Sequence, residues 1–320
     1  MLALTAHPEV RQVPSFIVTG EELIGNTITD IPKLIDPIFP SVGVIAIAGS
    51  SDTGKSSLLR QLAMEIVSGK DAFLGFPIKA IHNSVLYVST EDDFYALSSL
   101  MKIQNVERKA PSTYSGLRFI FNSTNILGKI EAELKRKPVD AVIIDAFADL
   151  YGGDMNRTNE VRNYLQKFTD LAIQFKCLFI FLHHTSKRTE ENPPSKHNMI
   201  GSQGFEAKMR LVVELRKDFQ NPSSGKRHFC IVKGNYLADS YKNSSYELTF
   251  TSNLVFETTG RRIPFEKLAP QDGRRTNVEA RDRARELHSE GKTIVEIHEI
   301  MTEEGYTAAR STIGNYVLNH

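Results

Sequence analysis

The stretch VGVIAIAGSSDTGKSSLLRQLAMEIVSG, residues 42–69, decides the fold. It opens with a continuous run of apolar residues and glycine, which is typical of a strand buried on both faces of a parallel sheet. In its second half, Leu58, Leu62 and Ile66 recur at helical spacing, and Gly69 follows as a candidate C-cap. The stretch therefore predicts a buried strand, a loop bounded by glycines, and a helix.

The loop between this strand and helix matches the pattern G-x-x-x-x-G-K-S. Glycines at both ends let the backbone curl, so that successive N–H groups and the helix N-terminus surround a phosphate. Lys55 would add a formal positive charge at the terminal phosphates, and Ser56 an oxygen ligand for Mg²⁺. Because a strand and a helix flank the pattern, we interpret it as a nucleoside-triphosphate site rather than a chance match. The predicted contacts are Gly49, Ser50, Ser51, Asp52, Thr53, Gly54, Lys55, Ser56 and Ser57.

Strand-like and helix-like segments alternate after this loop, and the alternation predicts a parallel α/β sheet. Further strand candidates lie at 85–90, 118–121, 141–145 and 177–182. Helical stretches begin near residues 93, 125 and 158. After Met209 the sequence changes to short strand-like segments joined by polar turns, and we expect antiparallel strands at the edge of the sheet. Their candidates are the segments LVVEL, HFCIVK, SYELTF and NLVFE.

Composition divides the chain into four parts. Five prolines within the first 40 residues make 1–37 an N-terminal arm, and 38–260 hold the α/β pattern. Residues 261–275 have two prolines, a glycine and little periodicity, so they are expected to form a linker. Residues 276–320 have helical patterns and predict a small all-α domain.

The overall composition is that of a soluble globular protein, with 41% hydrophobic and 24% charged residues. A net charge of +1 excludes a polycationic coat for nucleic acid. The two cysteines, Cys177 and Cys230, lie in apolar runs and are expected to be buried reduced thiols, which suits the cytoplasm. No apolar stretch approaches the ~18 residues of a membrane span, so we expect no membrane partner.

Two of the predicted strands deliver carboxylates to the sheet edge at which parallel folds bind ligands. AVIID ends in Asp145, a candidate Mg²⁺ carboxylate, although an aspartate here could instead cap the next helix. VLYVSTEDD ends in Glu91, Asp92 and Asp93. A glutamate near the γ-phosphate can orient and deprotonate water, whereas acidic residues can also simply begin a helix. We favour catalysis for Glu91 and the helix start for Asp93.

The chain resembles the RecA-like ATPases, specifically the RepA-type hexameric replicative helicases of plasmids and mobile elements, from about residue 38 to 258. The stretches that carry the resemblance are VLYVSTEDD (85–93), DAFADLYGGDMNRTNEVRNYLQKF (145–168), CLFIFLHHTSK (177–187), and GSQGFEAKMRLVVELR with HFCIVKGNYL (201–216 and 228–237). The resemblance implies a RecA-like P-loop core that uses ATP and Mg²⁺ and assembles into a hexameric ring.

The same resemblance implies roles for individual residues. Glu91 would be the catalytic base, and His183 with His184 would sense the γ-phosphate and couple hydrolysis to movement of the following loop. Gln203 would be the sensor glutamine. The cation that reaches the neighbouring subunit's nucleotide would be Lys233 or Arg210, because no lysine-x-arginine pair is present to decide between them.

Segment 185–204 is similar to the channel loops of RecA-like motors, which contact single-stranded DNA. It is basic and contains prolines, and Lys187, Arg188 and Lys196 suit phosphate contacts. The segment lacks a stacking aromatic residue, so an ordinary solvated surface loop is an equal alternative.

The C-terminal residues predict three helices that resemble a helix-turn-helix unit. Thr293 is a candidate N-cap, and 311–316 would be the helix that reads duplex DNA. The residues that could face DNA are Arg310, Ser311, Thr312 and Asn315. From Glu286 onward acidic residues outnumber cations, so a protein-docking bundle is the alternative.

We therefore expect a Mg²⁺-dependent ATPase that forms a ring and acts on DNA in replication of a plasmid or mobile element. A rival hypothesis is a DNA-binding regulator whose oligomeric state is set by ATP. Stimulation of ATP hydrolysis by single-stranded DNA favours the motor, and sequence-selective duplex binding with slow turnover favours the regulator.

Overall fold

The structure is a computed structural model that describes residues 17–121, 124–185, 192–199, 203–221, 223–269, 275–304, 306 and 308–318. The chain divides into two units, Met1–Pro32 and Lys33–His320. The described part of the first unit contains one short helix, α1 (Gly20–Ile24). A capping box begins this helix, because the Glu22 N–H donates to Thr19 Oγ1 and the Thr19 N–H donates to the Glu22 carboxylate.

The second unit contains the remaining elements. In chain order they are β1 (Lys33–Ile35), β2 (Phe39–Pro40), β3 (Gly43–Gly49), α2 (Lys55–Val67), β4 (Ala72–Phe73), β5 (Phe76–Pro77), β6 (Val85–Ser89), α3 (Phe94–Gln104), β7 (Leu117–Ile120), α4 (Ile126–Arg136), β8 (Ala141–Asp145), α5 (Phe147–Leu150), α6 (Thr158–Phe175), β9 (Leu178–His184), α7 (Gln203–Lys208), β10 (Leu211–Lys217), β11 (Lys226–Gly234), β12 (Ser244–Phe250), β13 (Phe256–Pro264), α8 (Arg275–Ser289), α9 (Ile294–Glu303) and α10 (Arg310–Leu318).

A nine-stranded sheet in the order β13-β12-β11-β10-β3-β9-β8-β6-β7 forms the centre of this unit. The six strands from β10 to β7 in that order run parallel, whereas β11, β12 and β13 extend the sheet in antiparallel pairs. The predicted fold class is confirmed: an α/β, RecA-like P-loop core with a mostly parallel sheet, antiparallel edge strands and C-terminal helices.

One predicted strand differs in part from the expectation. The segment LVVEL was expected to be antiparallel, and β10 does pair antiparallel with β11, but it pairs in parallel with β3, with Leu211 opposite Ile45. The reason is that α7 lies between β9 and β10, so the chain returns across the sheet before β10 begins. Strand β13 also continues through Arg261 to Pro264, and so occupies the start of the segment expected to be a linker.

The two faces of the sheet bury separate apolar clusters, because successive side chains of a strand point to opposite faces. Ile45 and Ile47 of β3 pack in the cluster that contains α2. Val44 and Ala46 pack in the cluster that contains α4 and α6. Both faces of β3 are therefore shielded from solvent, which explains its continuous apolar sequence.

The C-terminal helices α8, α9 and α10 have a cluster of their own. Its buried members are Ala280, Ala284, Leu287, Ile297, Met301 and Ile313. Thr293 caps α9 as predicted, in a capping box with Glu296. No helix within the described ranges is long and apolar enough to cross a membrane.

Candidate active site

Four neighbouring parallel strands end at one edge of the sheet. Within the register of the sheet, Gly49 of β3 lies opposite His184 of β9, and Ser89 of β6 lies opposite Asp145 of β8. The segments that follow these residues therefore meet at the carboxyl edge of the sheet. This is the edge at which open α/β sheets bind ligands.

Both glycines of the phosphate-loop pattern are required by the fold. A Cβ on Gly49 would lie 2.4 Å from the carbonyl oxygen of Leu215, and a Cβ on Gly54 would lie 2.7 Å from Cζ of Phe256. Gly54 also has φ of +94°, a conformation that L side chains rarely adopt. The loop between them thus has the tight curl that phosphate binding needs.

Side chains from the loop itself and from strand β11 stabilise this curl. Thr53 Oγ1 donates to the Ser50 carbonyl at 3.0 Å within the loop. Arg227 of β11 is buried, donates through Nε to the Thr53 carbonyl at 3.1 Å, and lies over the ring of Phe250. The antiparallel strands therefore position the loop as well as extend the sheet.

Lys55 begins α2 and points back into the loop, where Nζ donates to the Ser50 carbonyl at 2.7 Å. Burial lowers the pKa of Lys55 to about 8, although the carboxylates of Asp145 and Glu91 oppose this shift. Lys217, at the end of β10, is a second cation whose charge lowers the same pKa. A buried cation in a tightly curled loop at a helix N-terminus fits a triphosphate tail, so the residues present suit the predicted nucleotide.

Ser56 and Asp145 come together at the floor of the site. Ser56 Oγ donates to one Asp145 carboxylate oxygen at 3.3 Å, and the Tyr87 hydroxyl donates to the other at 2.6 Å. Burial raises the pKa of Asp145, and these two hydrogen bonds oppose the rise. Asp145 does not cap the next helix, because the N-cap of α5 is Ala146 and no side chain caps it. The paired hydroxyl and carboxylate are the hard oxygen donors that Mg²⁺ prefers, so they fit the predicted ion.

The acidic triplet after β6 divides into three separate environments. Asp93 caps α3 by accepting from the Ala96 N–H at 2.8 Å, which confirms its helix-start role. Asp92 lies 3.5 Å from Arg60. Glu91 remains partly exposed, and its Oε1 lies 3.8 Å from Nε2 of His184. Burial, and then the nearby Asp149 carboxylate, raise the pKa of Glu91.

Arg60 is a buried residue that sequence reasoning missed. It is 3% exposed, and besides Asp92 it donates to Gln104 Oε1 at 3.0 Å and to Ser57 Oγ at 3.2 Å. The contact with Asp92 ties α2 to the residue beside Glu91, and the bond to Gln104 ties α2 to the end of α3. The available signal was a cation between the leucines of LLRQL, residues 58–62.

Thr90 is a second residue that was missed, and it joins the ends of β6 and β8. Its backbone N–H donates to the Asp145 carbonyl at 2.8 Å, and its hydroxyl accepts from the Ala146 N–H at 2.9 Å. The same hydroxyl lies 2.6 Å from Asp149 Oδ2, to which it donates. The residues on either side of Thr90, Ser89 and Glu91, are thereby held against the Asp145 strand.

The paired histidines face opposite sides of β9. His183 is 2% exposed and stacks on Phe205 with 4.3 Å between ring centroids. His184 faces the site, and burial followed by the positive charge of Lys55 lowers its pKa. The structure thus brings His184, and not His183, together with Glu91 and Lys55.

The other predicted catalytic residues are Gln203, Arg210 and Lys233. Gln203 is exposed at the start of α7. Arg210 contacts Gly43 at the far end of β3, and its guanidinium donates to the Tyr236 hydroxyl. Gly43 and Gly49 are six residue steps apart along the strand, a distance of roughly 20 Å. Lys233 pairs with Glu206 at 2.8 Å, so neither candidate finger contacts the phosphate loop of this chain in the described structure.

Of the predicted DNA contacts, Lys187 and Arg188 lie outside the described residues. Lys196 is exposed in a short 3₁₀ turn, and Glu214 of β10 holds this segment by accepting from Ser195 N and Asn198 Nδ2. On α10, Arg310, Ser311 and Asn315 are exposed and Thr312 is half-buried.

The chain is similar to proteins of known family and structure. A family model described as an AAA domain matches residues 9–190, more than half of the chain. No curated protein matches the sequence. Among the matching solved structures is the ATPase domain of G40P, with a TM-score of 0.53 and 16% sequence identity, covering 74% of this chain and 94% of that one. The chain therefore belongs to the AAA domain family, with the RecA-like fold of a P-loop ATPase.

Proposed function

We propose that this chain is a Mg²⁺-dependent ATPase that assembles into a ring and acts on DNA, as a helicase or motor of the RepA type in replication of a plasmid or mobile element. One observation carries the proposal. A phosphate loop, a hydroxyl–carboxylate pair and a partly exposed glutamate converge on one sheet edge. Those are the three parts that hydrolysis of a nucleoside triphosphate requires.

The loop and Lys55 would hold the triphosphate tail, with the other predicted contacts from Gly49 to Ser57. Ser56 and Asp145 would hold Mg²⁺, which when bound neutralises negative charge on the phosphate oxygens. The Lys55 ammonium donates to a loop carbonyl, so it is already directed into the space that the curl encloses. Preorganised charge of this kind acts without rearrangement during the reaction.

Glu91 would orient the attacking water and accept its proton. The pKa of Glu91 is raised, so it lies closer to neutral pH than the pKa of an ordinary glutamate. A general base is more effective when its pKa is near the working pH. The clamp formed by Arg60 and Asp92 fixes the backbone beside Glu91. Glu91 can therefore act from a fixed position although its own side chain is partly exposed.

His184 would sense the γ-phosphate, in the role that the resemblance implies for the histidine pair. It lies beside Glu91 and within the field of Lys55, so a change in phosphate charge would alter its proton affinity. His183 would contribute through its stack on Phe205, and Gln203 on the same helix α7 remains the proposed sensor glutamine.

Ring assembly is proposed from the placement of the cations. Lys55, Lys217 and Arg227 are described cations of this chain that lie at or near its own loop. Arg210 and Lys233 are held elsewhere on the surface by Tyr236 and Glu206. A neighbouring copy could supply either residue, and charge on the γ-phosphate would then be neutralised only after docking. The six-fold state follows the family resemblance.

A regulator is the second candidate function, and the C-terminal helices favour it. They have their own apolar cluster, and Arg310, Ser311 and Asn315 of α10 are exposed together. In that function ATP would set the oligomeric state while this unit docks on duplex DNA.

Turnover measured with and without DNA tests the proposal. A motor predicts that single-stranded oligonucleotides raise the ATP hydrolysis rate by about tenfold or more, a barrier change of ~1.4 kcal/mol. A duplex of the same length is the control. Sequence-selective duplex binding without single-strand stimulation would favour the regulator. Mass measurement with ATP and Mg²⁺ present then tests the ring.

A further inference from the structure

A polar groove lies between α6 and α7, on the sheet face opposite α2. Its volume is about 370 Å³, and its lining consists of Asn159, Arg162, Asn163, Gln166 and Lys208. The four residues from α6 follow the spacing i, i+3, i+4, i+7, so they form one side of the helix. We call these five residues the polar groove.

The chemistry of the polar groove favours a polyanion. Among its described lining residues, two side chains are cations, three are carboxamides and none is a carboxylate. Arg162 makes no ion pair with any residue that the structure describes, while Lys208 Nζ donates to Gln166 Oε1. Outside the lining, Asp170 accepts from Gln166 Nε2 at 2.7 Å. Cations with amide donors are the groups that bind phosphodiesters.

The groove rests on a rigid support. Val161, Leu165 and Phe168 of α6 are each fully buried beneath it. An 18-residue helix docked this firmly holds Arg162 on a fixed element rather than on a loop. Binding groups on such elements need less ordering when a ligand arrives.

Helix α7 links the groove to the active site. It carries Lys208 at one end and Phe205 in the middle, and Phe205 stacks on His183. The next residue of β9 is His184, which faces Glu91. A ligand that orders Lys208 therefore contacts a helix that packs directly behind the proposed phosphate sensor.

We propose that the polar groove binds the sugar–phosphate backbone of a single nucleic-acid strand. The inference rests on the proposed function, to which it adds a location for the DNA on described residues of the core. A cavity of this size fits about one nucleotide and not a duplex, since cavities of ~300–1,000 Å³ suit small ligands. A second copy of the chain fits less well, because the centre of a protein interface is apolar and this lining has no apolar side chain.

Fluorescence anisotropy of a labelled oligothymidylate tests the groove. The full chain is measured with Mg²⁺ and a non-hydrolysable ATP analogue over a range of salt concentrations, as wild type, Arg162→Ala, Lys208→Ala and the double variant. Lys135→Ala on α4 is the matched control, since Lys135 is an exposed cation outside the groove. Glutamine replacements at 162 and 208 keep polar side chains in case the alanine variants unfold.

We expect each substitution to weaken strand binding by about tenfold. The slope of log affinity against log salt should become shallower by ~0.7 for each phosphate that the variant no longer neutralises. The single-strand concentration that half-saturates ATPase stimulation should rise in parallel. Lys135→Ala should match the wild type in both measurements.

Three outcomes overturn the proposal, and they differ in what they leave standing. If a folded double variant keeps the wild-type affinity and salt slope, the groove is not the strand-binding site, but the proposed DNA-dependent function still stands. If the wild type binds no single strand, both the groove proposal and the proposed DNA-dependent function are wrong. A change in assembly mass without a change in strand binding makes the groove a contact between copies.

Discussion

The active site and the C-terminal helices bury different kinds of residue. At the sheet edge, buried polar groups pair across long stretches of chain, as Tyr87 does with Asp145 and Arg60 with Gln104. In the described part of α8–α10 the buried residues are apolar, and ion pairs such as Arg283 with Glu304 lie at the surface. Buried polar groups cost free energy unless they are satisfied. Their concentration at the sheet edge therefore indicates function, whereas folding alone explains the buried residues of the helical unit.

The largest expected difference concerns Glu91. Glu91→Gln keeps the shape of the side chain but removes the proton acceptor, so kcat should fall by about 10²–10⁴. ATP affinity should stay near the wild-type value, because the glutamine carries no repelling charge. Single-turnover hydrolysis and a binding titration measure the two quantities. A variant that hydrolyses ATP at the wild-type rate would place the base elsewhere.

Lys55 provides a test through pH. Its pKa is about 8 in the folded chain and higher when unfolded, so the unfolded state binds more protons between these values. The free protein should therefore gain stability as pH rises from about 8 to 10.4, by about 3 kcal/mol. Lys55→Met should be more stable than the wild type below pH 8 and lose that advantage above the window. Urea unfolding at several pH values measures the difference, and parallel curves would contradict it.

Arg60→Leu should affect both stability and turnover. It leaves Gln104 and Ser57 with buried polar atoms that have lost a partner, at a cost of about 1–3 kcal/mol for each unsatisfied group. It also releases Asp92 beside Glu91, so kcat should fall while KM changes little. Arg60→Lys, which keeps a charge, should recover part of kcat. Loss of stability with unchanged kcat would show that Arg60 has no positioning role.

The smallest effect is expected in the helical unit. Thr293→Ala removes the side chain that caps α9, which should lower stability by about 1 kcal/mol. ATP hydrolysis without DNA should be unchanged. Thermal unfolding followed by circular dichroism measures the first quantity. A large loss of ATPase activity in a folded variant would mean that the two regions are coupled.

Local patterns were enough to predict most of the fold. Strands β3 and β8 could be located from their apolar runs, and helix α6 from its helical spacing. A strand buried on both faces and a helix buried along one side each have a recognisable pattern of apolar residues. The direction of β10 did not follow, since it depends on how α7 returns the chain. The extent of β13 was also missed, because its exposed half, from Glu257, is polar.

The site was predictable where one short motif forms it. The loop from Gly49 to Ser57 depends on adjacent residues, so its pattern was visible. Arg60 and Thr90 act through partners more than 30 residues away, and no local pattern reports such pairs. Side chains alternate along a strand, so His183 and His184 must face opposite sides, but only packing against Phe205 decides which one faces the site.

The central claim is that the loop from Gly49 to Ser57, with Lys55, holds the triphosphate tail of a nucleotide. Calorimetric titration of the folded full chain with ATP and Mg²⁺ tests it most directly. The account predicts saturable binding by the wild type that weakens at least about tenfold in Lys55→Ala, the loss of one charged hydrogen-bonding group. Absence of binding heat in the wild type, or equal affinity in the variant, would contradict it.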